Sequence, residues 1–238
     1  MPAQSPLSNR AIRVASLAPC MFPDIFDAIF VTILSQSIWR CKTAGYNSGR
    51  AATGCSPHPN GAFPRQKNVT RNRILLGRAM EEAEGYAELG MLEHSLRSLQ
   101  RRGSLVHGNG RACYLLGEAL RELSRYEEAL LPLERSADLM PDDIHVWLAL
   151  GWCYKRTGQL ARAIEALERA VKVDPSEAVL HYNLACYWSL ARNRAAALKY
   201  LSRALEIDTN FRDMIPDEAD FNPLRHDPEF IALTSVIV

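Results

Sequence analysis

The chain has 238 residues with 28 Lys+Arg, 27 Asp+Glu, 47% hydrophobic residues and 8% aromatics. That composition excludes collagen-like, mucin-like and strongly charged disordered chains, and the length suits one or two domains. The near-neutral total hides an asymmetry. Residues 1–79 carry ten Lys/Arg against Asp24 and Asp27, a balance of +8, whereas 80–238 carry eighteen against twenty-five acids, a balance of −7.

The longest apolar stretch, Phe26 to Trp39, is interrupted by Asp27, Gln36 and Ser37. It falls short of the roughly 20 residues that cross a bilayer. Arg10 and Arg13 precede a segment broken by Pro19, Pro23 and Asp24, which is not a secretory signal. The acid-poor start has the composition of an organellar transit peptide without its continuous amphipathic helix. No membrane association is expected. Gly45 to Lys67 reads as loop, rich in Gly, Ser, Pro and Asn. Two readings of 1–79 stand: a basic, disordered arm, or a stretch ahead of a true start at Met80. Either way the domain boundary is placed at 79/80. Asn68-Val69-Thr70 matches a glycosylation sequon, which means little without secretion. Six cysteines in this length are too sparse for a disulfide scaffold, so reduced thiols and a cytoplasmic setting are expected.

From Val69 onward helical periodicity takes over. Trp147, Leu150, Gly151 and Tyr154 fall at i, i+3, i+4 and i+7 and share one helix face. Gly158 marks a turn, Ala163, Leu167 and Ala170 form a second stripe, and Pro175 stops it. Shifting by 34 residues repeats the pattern. One step on gives Leu184, Ala185, Trp188, Ala197, Leu201 and Ala204; one step back gives Leu116, Gly117, Leu120, Ala129, Leu133 and Pro141. Two steps back only Ala83, Tyr86, Gly90, Ser95 and Leu99 survive, with Glu82 and Arg102 in normally apolar or small places.

This spacing resembles the tetratricopeptide repeat family, in the form of a small bacterial-type member with a short closing segment. The resemblance covers about 80 to 210 and implies an all-α, right-handed solenoid of helical hairpins. The hairpins are placed at about 80–103 (degenerate), 110–141, 144–175 and 178–209, with a cap at 213–238. Gly117, Gly151 and Ala185 are small so that the two helices of a hairpin approach closely, and Trp147, Tyr154 and Trp188 fill the space between hairpins. Pro132, inside a second helix, predicts a kink or strain relieved at the solvent side. Asp227 as N-cap with Pro228 in the first turn predicts a closing helix. Phe221, Leu224, Phe230 and Leu233 are expected to cover the last hairpin.

Little in the chain points to catalysis. Gly108-Asn109-Gly110-Arg111-Ala112-Cys113 lacks the third glycine and the preceding strand of a phosphate loop, and reads as a turn opening a helix. Cys41, Cys55 and His58 lack paired zinc-ligand spacing. No nucleophile–base–acid set emerges, so neither an enzyme, a metal nor a cofactor is expected.

The resemblance places binding in a concave groove lined by the inner helix of each hairpin. The residues offset from the packing face are Arg111, Tyr114, Glu118 and Arg121, then His145, Leu148, Trp152, Lys155 and Arg156, then Val179, Tyr182, Asn183, Cys186 and Ser189. Two readings of Trp152 stand: an aromatic anchor for a partner, or packing against a neighbouring hairpin or the cap. Ala149 and Val179 stand where a terminal-carboxylate clamp needs Asn and Lys. The expected partner is therefore a mixed apolar and aromatic polypeptide segment, held by a scaffold or adaptor. A secretion-type chaperone is the alternative. Nucleic-acid binding through Arg65, Lys67, Arg71, Arg73 and Arg78 is disfavoured because no aromatic platform is interleaved.

Overall fold

The computed structural model describes residues 64–235. The apolar stretch 26–39 and the Cys41, Cys55, His58 group lie outside them. In chain order the helices are α1 (Pro64–Glu88), α2 (Leu92–Gln100), α3 (Ser104–His107), α4 (Gly110–Glu122), α5 (Tyr126–Leu139), α6 (Ile144–Arg156), α7 (Leu160–Val173), α8 (Ala178–Leu190), α9 (Arg194–Ile207) and α10 (Pro228–Thr234). Two 3-10 segments, Thr209–Asp217 and Ala219–Leu224, join α9 to α10. No strand occurs among the described residues.

The 34-residue step governs these boundaries. Inner helices α4, α6 and α8 are each 13 residues long and begin at 110, 144 and 178. The helices that follow them, α5, α7 and α9, are each 14 residues long and begin at 126, 160 and 194. The same step backward lands on Leu92, where α2 starts, and forward on Pro228, where α10 starts. Each inner helix packs on its own partner, and that partner packs on the inner helix of the next hairpin, as α5 does on α6 and α7 on α8. The stripes read from the sequence are the core: Ala129, Leu133, Ala163, Leu167, Ala197 and Leu201 have no exposed surface.

Close approach explains the small residues. A Cβ on Gly117 would stand 2.4 Å from Leu133 Cγ, and one on Gly151 would stand 3.2 Å from Leu167. The turns repeat as well: Gly90, Ser124, Arg192 and Gly158 all have positive φ, between 58° and 76°, at 34-residue intervals. Backbone hydrogen bonds close each turn in the same way, from Met91 to Tyr86, Arg125 to Leu120, Gln159 to Tyr154 and Asn193 to Trp188.

Two expectations need correction. The first hairpin does not begin at 80: α1 runs unbroken from Pro64 through Met80, because no proline, glycine pair or capping residue interrupts it there. Pro132 neither breaks α5 nor sits on the solvent side; it is buried within a helix of the same length as α7 and α9. The closing helix starts where Asp227 and Pro228 placed it. Pro216 and Pro223 confine the chain to 3-10 geometry until Asp227, whose Oδ1 accepts from the Glu229 and Phe230 amides and starts α10. Phe221, Leu224 and Phe230 are buried as expected, while Leu233 is half-buried.

A non-glycine residue in the left-handed region costs about 1–2 kcal/mol. Exposed Arg192 carries that cost, whereas Gly158 in the equivalent turn does not. Replacing Arg192 by Gly should therefore raise stability by about 0.5–1 kcal/mol after the added freedom of the unfolded chain is counted. Gly158→Ala should lower it by a similar amount. Thermal melts of the two variants test the opposite signs.

Candidate functional site

The 34-residue step arranges the inner face in rows. Arg111, His145 and Val179 form one; Tyr114, Leu148 and Tyr182 the next; then Glu118, Trp152 and Cys186; then Arg121, Lys155 and Ser189. The rows change character along the solenoid, from charged at α4 to apolar and covered at α8.

At the α4 end, Asn109 caps the helix by accepting from the Ala112 amide, the local turn expected in place of a phosphate loop. Exposed Arg111 donates to Glu84 Oε1 through Nε at 3.1 Å and Nη2 at 2.6 Å, joining α4 to the inner helix of the preceding hairpin. Arg121 is buried, 4% exposed. It donates to both Glu118 oxygens at 3.1 and 3.3 Å and to Glu122 at 3.4 Å. Burial works against the Arg121 charge, but Glu118 and Glu122 outweigh it and hold the guanidinium pKa above its ordinary value. The Tyr114 hydroxyl is buried without a hydrogen-bond partner among the described residues.

In the middle, His145 is half-buried and Arg156 exposed. Trp152 is 3% exposed and Leu148 5%. The Lys155 ammonium lies 5.4 Å from the Trp152 ring centroid and 5.7 Å from that of Tyr187, and the Arg156 guanidinium lies between Trp152 and Tyr126. Of the two readings of Trp152, an open anchor does not match this burial, whereas packing does.

At the α8 end the cap takes over. The Lys155 ammonium donates to Asp220 Oδ2 at 2.5 Å, and the Ser189 hydroxyl donates to the Asp220 carbonyl at 2.7 Å. Tyr182, with no exposed surface, lies 4.9 Å from Phe211 and 5.7 Å edge-on from Phe221, which in turn meets Phe230. Tyr182, Cys186 and Ser189, expected to line an open groove, are thus covered, as is Val179 at 4% exposed. The register gives the reason. The cap stands where the inner helix of a further hairpin would begin, at 212, and its 3-10 path brings Asp220 and Phe221 across α8. Asp220 occupies the same repeat position as Glu118, Trp152 and Cys186, so extending the 34-residue step once more was the signal that locates it.

Asn183 on α8 is 4% exposed, and its Oδ1 has no hydrogen-bond partner among the described residues. The thiols of this face are not nucleophiles. Burial pushes Cys153 up to about 12, and raises Cys186 well above the ordinary thiol range, with Glu218 and Asp220 adding to the effect. Among the described residues no cluster of His, Cys, Asp and Glu could hold a metal, and no helix is long and apolar enough to cross a membrane. A crevice on another face, between α5, α6 and α7, is lined by groups that satisfy one another. Glu134 accepts from the Tyr154 hydroxyl and from Arg162, while Arg169 lies over Trp147.

The model of the family described as "Tetratricopeptide repeat" matches residues 120–185. That stretch takes in α5, α6 and α7, and over it the helices match the tetratricopeptide repeat. A crystal structure of MamA superposes with a TM-score of 0.55 at 22% identity, covering 62% of this chain and 86% of that one. MamA from Desulfovibrio magneticus RS-1 gives 0.54 at 22%, over 61% and 91%. YrrB, a tetratricopeptide repeat protein with an unusual peptide-binding site, gives 0.52 at 22%, over 60% and 81%. At these identities the likeness is one of tetratricopeptide fold. No curated protein matches the sequence.

Two outcomes are expected. Trp152→Ala should destabilise the chain by about 3–5 kcal/mol, as removal of a buried aromatic does; a melting temperature within a degree of the parent would return Trp152 to an open surface. At the cap, a hydrogen bond from Arg194 and the Phe230 and Glu229 amides hold the Asp227 carboxyl down at about 2. A depressed carboxylate contributes stability above its unfolded pKa near 4 and loses it as pH falls through about 2. Asp227→Asn keeps the helix cap but not the charge. The difference in melting between parent and variant should be full at pH 6, small near pH 2 and gone only below it.

Proposed function

We propose that the chain is a non-catalytic protein-interaction module whose inner tetratricopeptide face, from Arg111 to Asn183, receives a segment of a partner polypeptide. The observation that carries this reading is that inner helices hold buried polar atoms without hydrogen-bond partners among the described residues, the Tyr114 hydroxyl and Asn183 Oδ1 among them. Leaving such an atom unsatisfied costs about 1–3 kcal/mol, so native chains rarely retain one without a use. A polypeptide backbone supplies both a carbonyl for the hydroxyl and an N–H for the amide oxygen. The peptide-binding site of YrrB, a protein of the same fold, supports the same class of ligand.

The rim of the face sets which segment fits. Arg111 and Arg156 are exposed, Tyr114, His145 and Lys155 half-buried, and Leu148 and Trp152 closed off. Engagement therefore starts at the charged rim, and reaching Leu148, Trp152 and Asn183 requires the face to open. That step lowers the apparent affinity by the fraction of molecules that are open. A scaffold or adaptor in the cytoplasm is the role that suits a face of this kind, with the buried thiols of Cys113, Cys153 and Cys186 in no disulfide.

Selection from a displayed random-peptide library with the full chain as bait tests the proposal. Selected peptides should bind with micromolar dissociation constants. The double charge reversal Arg111→Glu with Arg156→Glu should weaken them by roughly tenfold or more, as loss of charge pairing at an interface does. Arg169→Glu, on the other face, should not. Failure to enrich any peptide, or equal loss from all three substitutions, would overturn the assignment.

A further inference from the structure

The two ends of the solenoid differ in a way that the inner face does not use. By the 34-residue step the inner helix of the first hairpin should span 76–88, but α1 begins twelve residues earlier. At about 1.5 Å per residue α1 is about 37 Å long. Its partner α2 has nine residues against the fourteen of α5, α7 and α9, because the chain turns at Gly103 with φ 48°. The apolar stripe of α1 therefore outruns its cover. Val69, Leu76, Ala79 and Ala83 lie on one face; Ala79 and Ala83 are buried, Leu76 is half-buried, and Val69 is 67% exposed. Ile74, about 140° further round the helix, is 52% exposed. Arg71, Arg73 and Arg78 surround this end, all exposed and none in an ion pair among the described residues. Residues 64–80 contain no acid.

The opposite end has the reverse character. Residues 206–229 carry eight carboxylates against Arg212 and Arg225. The Arg225 guanidinium is already engaged with the carbonyls of Ile215, Pro216 and Glu218. Asp213 and Asp217 are exposed and form no ion pair among the described residues, and Ile231 of α10 is 50% exposed.

A hairpin in a stack is covered on both sides by neighbours, and among the described residues none precedes the first one. We infer that this place is taken by a second copy of the chain, which sets its acidic C-terminal cap against the basic overhang of α1. Val69 supplies the apolar contact, and Arg73 on the same side of α1 meets Asp213 and Asp217. The contact is heterologous, head to tail, so each copy keeps one free end of each kind and the assembly grows with concentration instead of stopping at a dimer. It leaves the rows from Arg111 to Asn183 untouched and does not depend on what they bind.

Sedimentation equilibrium of the full chain at 50 mM and 500 mM salt tests the inference. At 50 mM the weight-average mass should rise above that of the monomer with concentration, and at 500 mM it should return toward it, since exposed charge pairs are screened at that ionic strength. Arg71→Glu with Arg73→Glu should weaken association roughly tenfold or more, as should Asp213→Lys with Asp217→Lys. Mixing the two variants restores complementary ends and should restore association; a circular-dichroism melt of each confirms folding. A monomer at every concentration in low salt, or association indifferent to both reversals, would overturn the inference. So would a monomeric parent whose overhang instead binds anionic vesicles or single-stranded nucleic acid and loses that binding on Arg71→Glu with Arg73→Glu.

Discussion

Contact between successive hairpins is the constraint on which the rest of the molecule depends. A pair of 13- and 14-residue helices is too small to enclose its own apolar stripe, and Leu133, Leu167 and Leu201 are removed from water by neighbouring helices on both sides. This fixes the spacing. An inner helix must begin at the same point in each repeat for its glycine or alanine to meet the leucine of its partner, as Gly117 meets Leu133 and Gly151 meets Leu167. Helix starts, turn geometry and the rows of the inner face then all follow one 34-residue period.

The period also explains the cap. Thr209 to Leu224 stands in the register of a fifth inner helix, and Pro228 to Thr234 in that of its partner. Prolines at 216 and 223 prevent a regular helix, so the segment wraps instead of stacking. Wrapping is what carries Asp220 to Lys155 and Phe221 to Tyr182. A polar, charged inner face at α4 thus gives way to one sealed at α8.

Most of the architecture was legible in the sequence because it depends on short-range periodicity. Trp147, Leu150, Gly151 and Tyr154 announce their helix face by spacing alone, and the stripe at Ala163 and Leu167 announces its partner. The inner face was less legible. Trp152 and Tyr182 were recognisable as lying off the hairpin-packing face, but whether that side meets solvent depends on groups far along the chain. Tyr182 is covered by Phe211 and Phe221, and Lys155 is joined to a carboxylate 65 residues away. Helical periodicity does not encode such contacts. The first few residues of α1 escaped for a different reason: helical periodicity is legible from Val69, but residues 64–68 close a Gly-, Ser- and Pro-rich stretch and are helical as an extension of the helix that follows.

The link from Lys155 to Asp220 bears on how the array comes apart. In a linear stack whose units touch only their immediate neighbours, the terminal unit frays first and independently of the rest. Here the terminal segment is tied past the third full hairpin to the second, through a pair whose side chains are 15% and 11% exposed. Opening that segment breaks this pair together with the contact of Phe221 on Tyr182, so the two are lost in one step. The C-terminal half is thereby coupled into one cooperative block, and hydrogen exchange in α8 and α9 is governed by the opening of that block rather than by end-fraying.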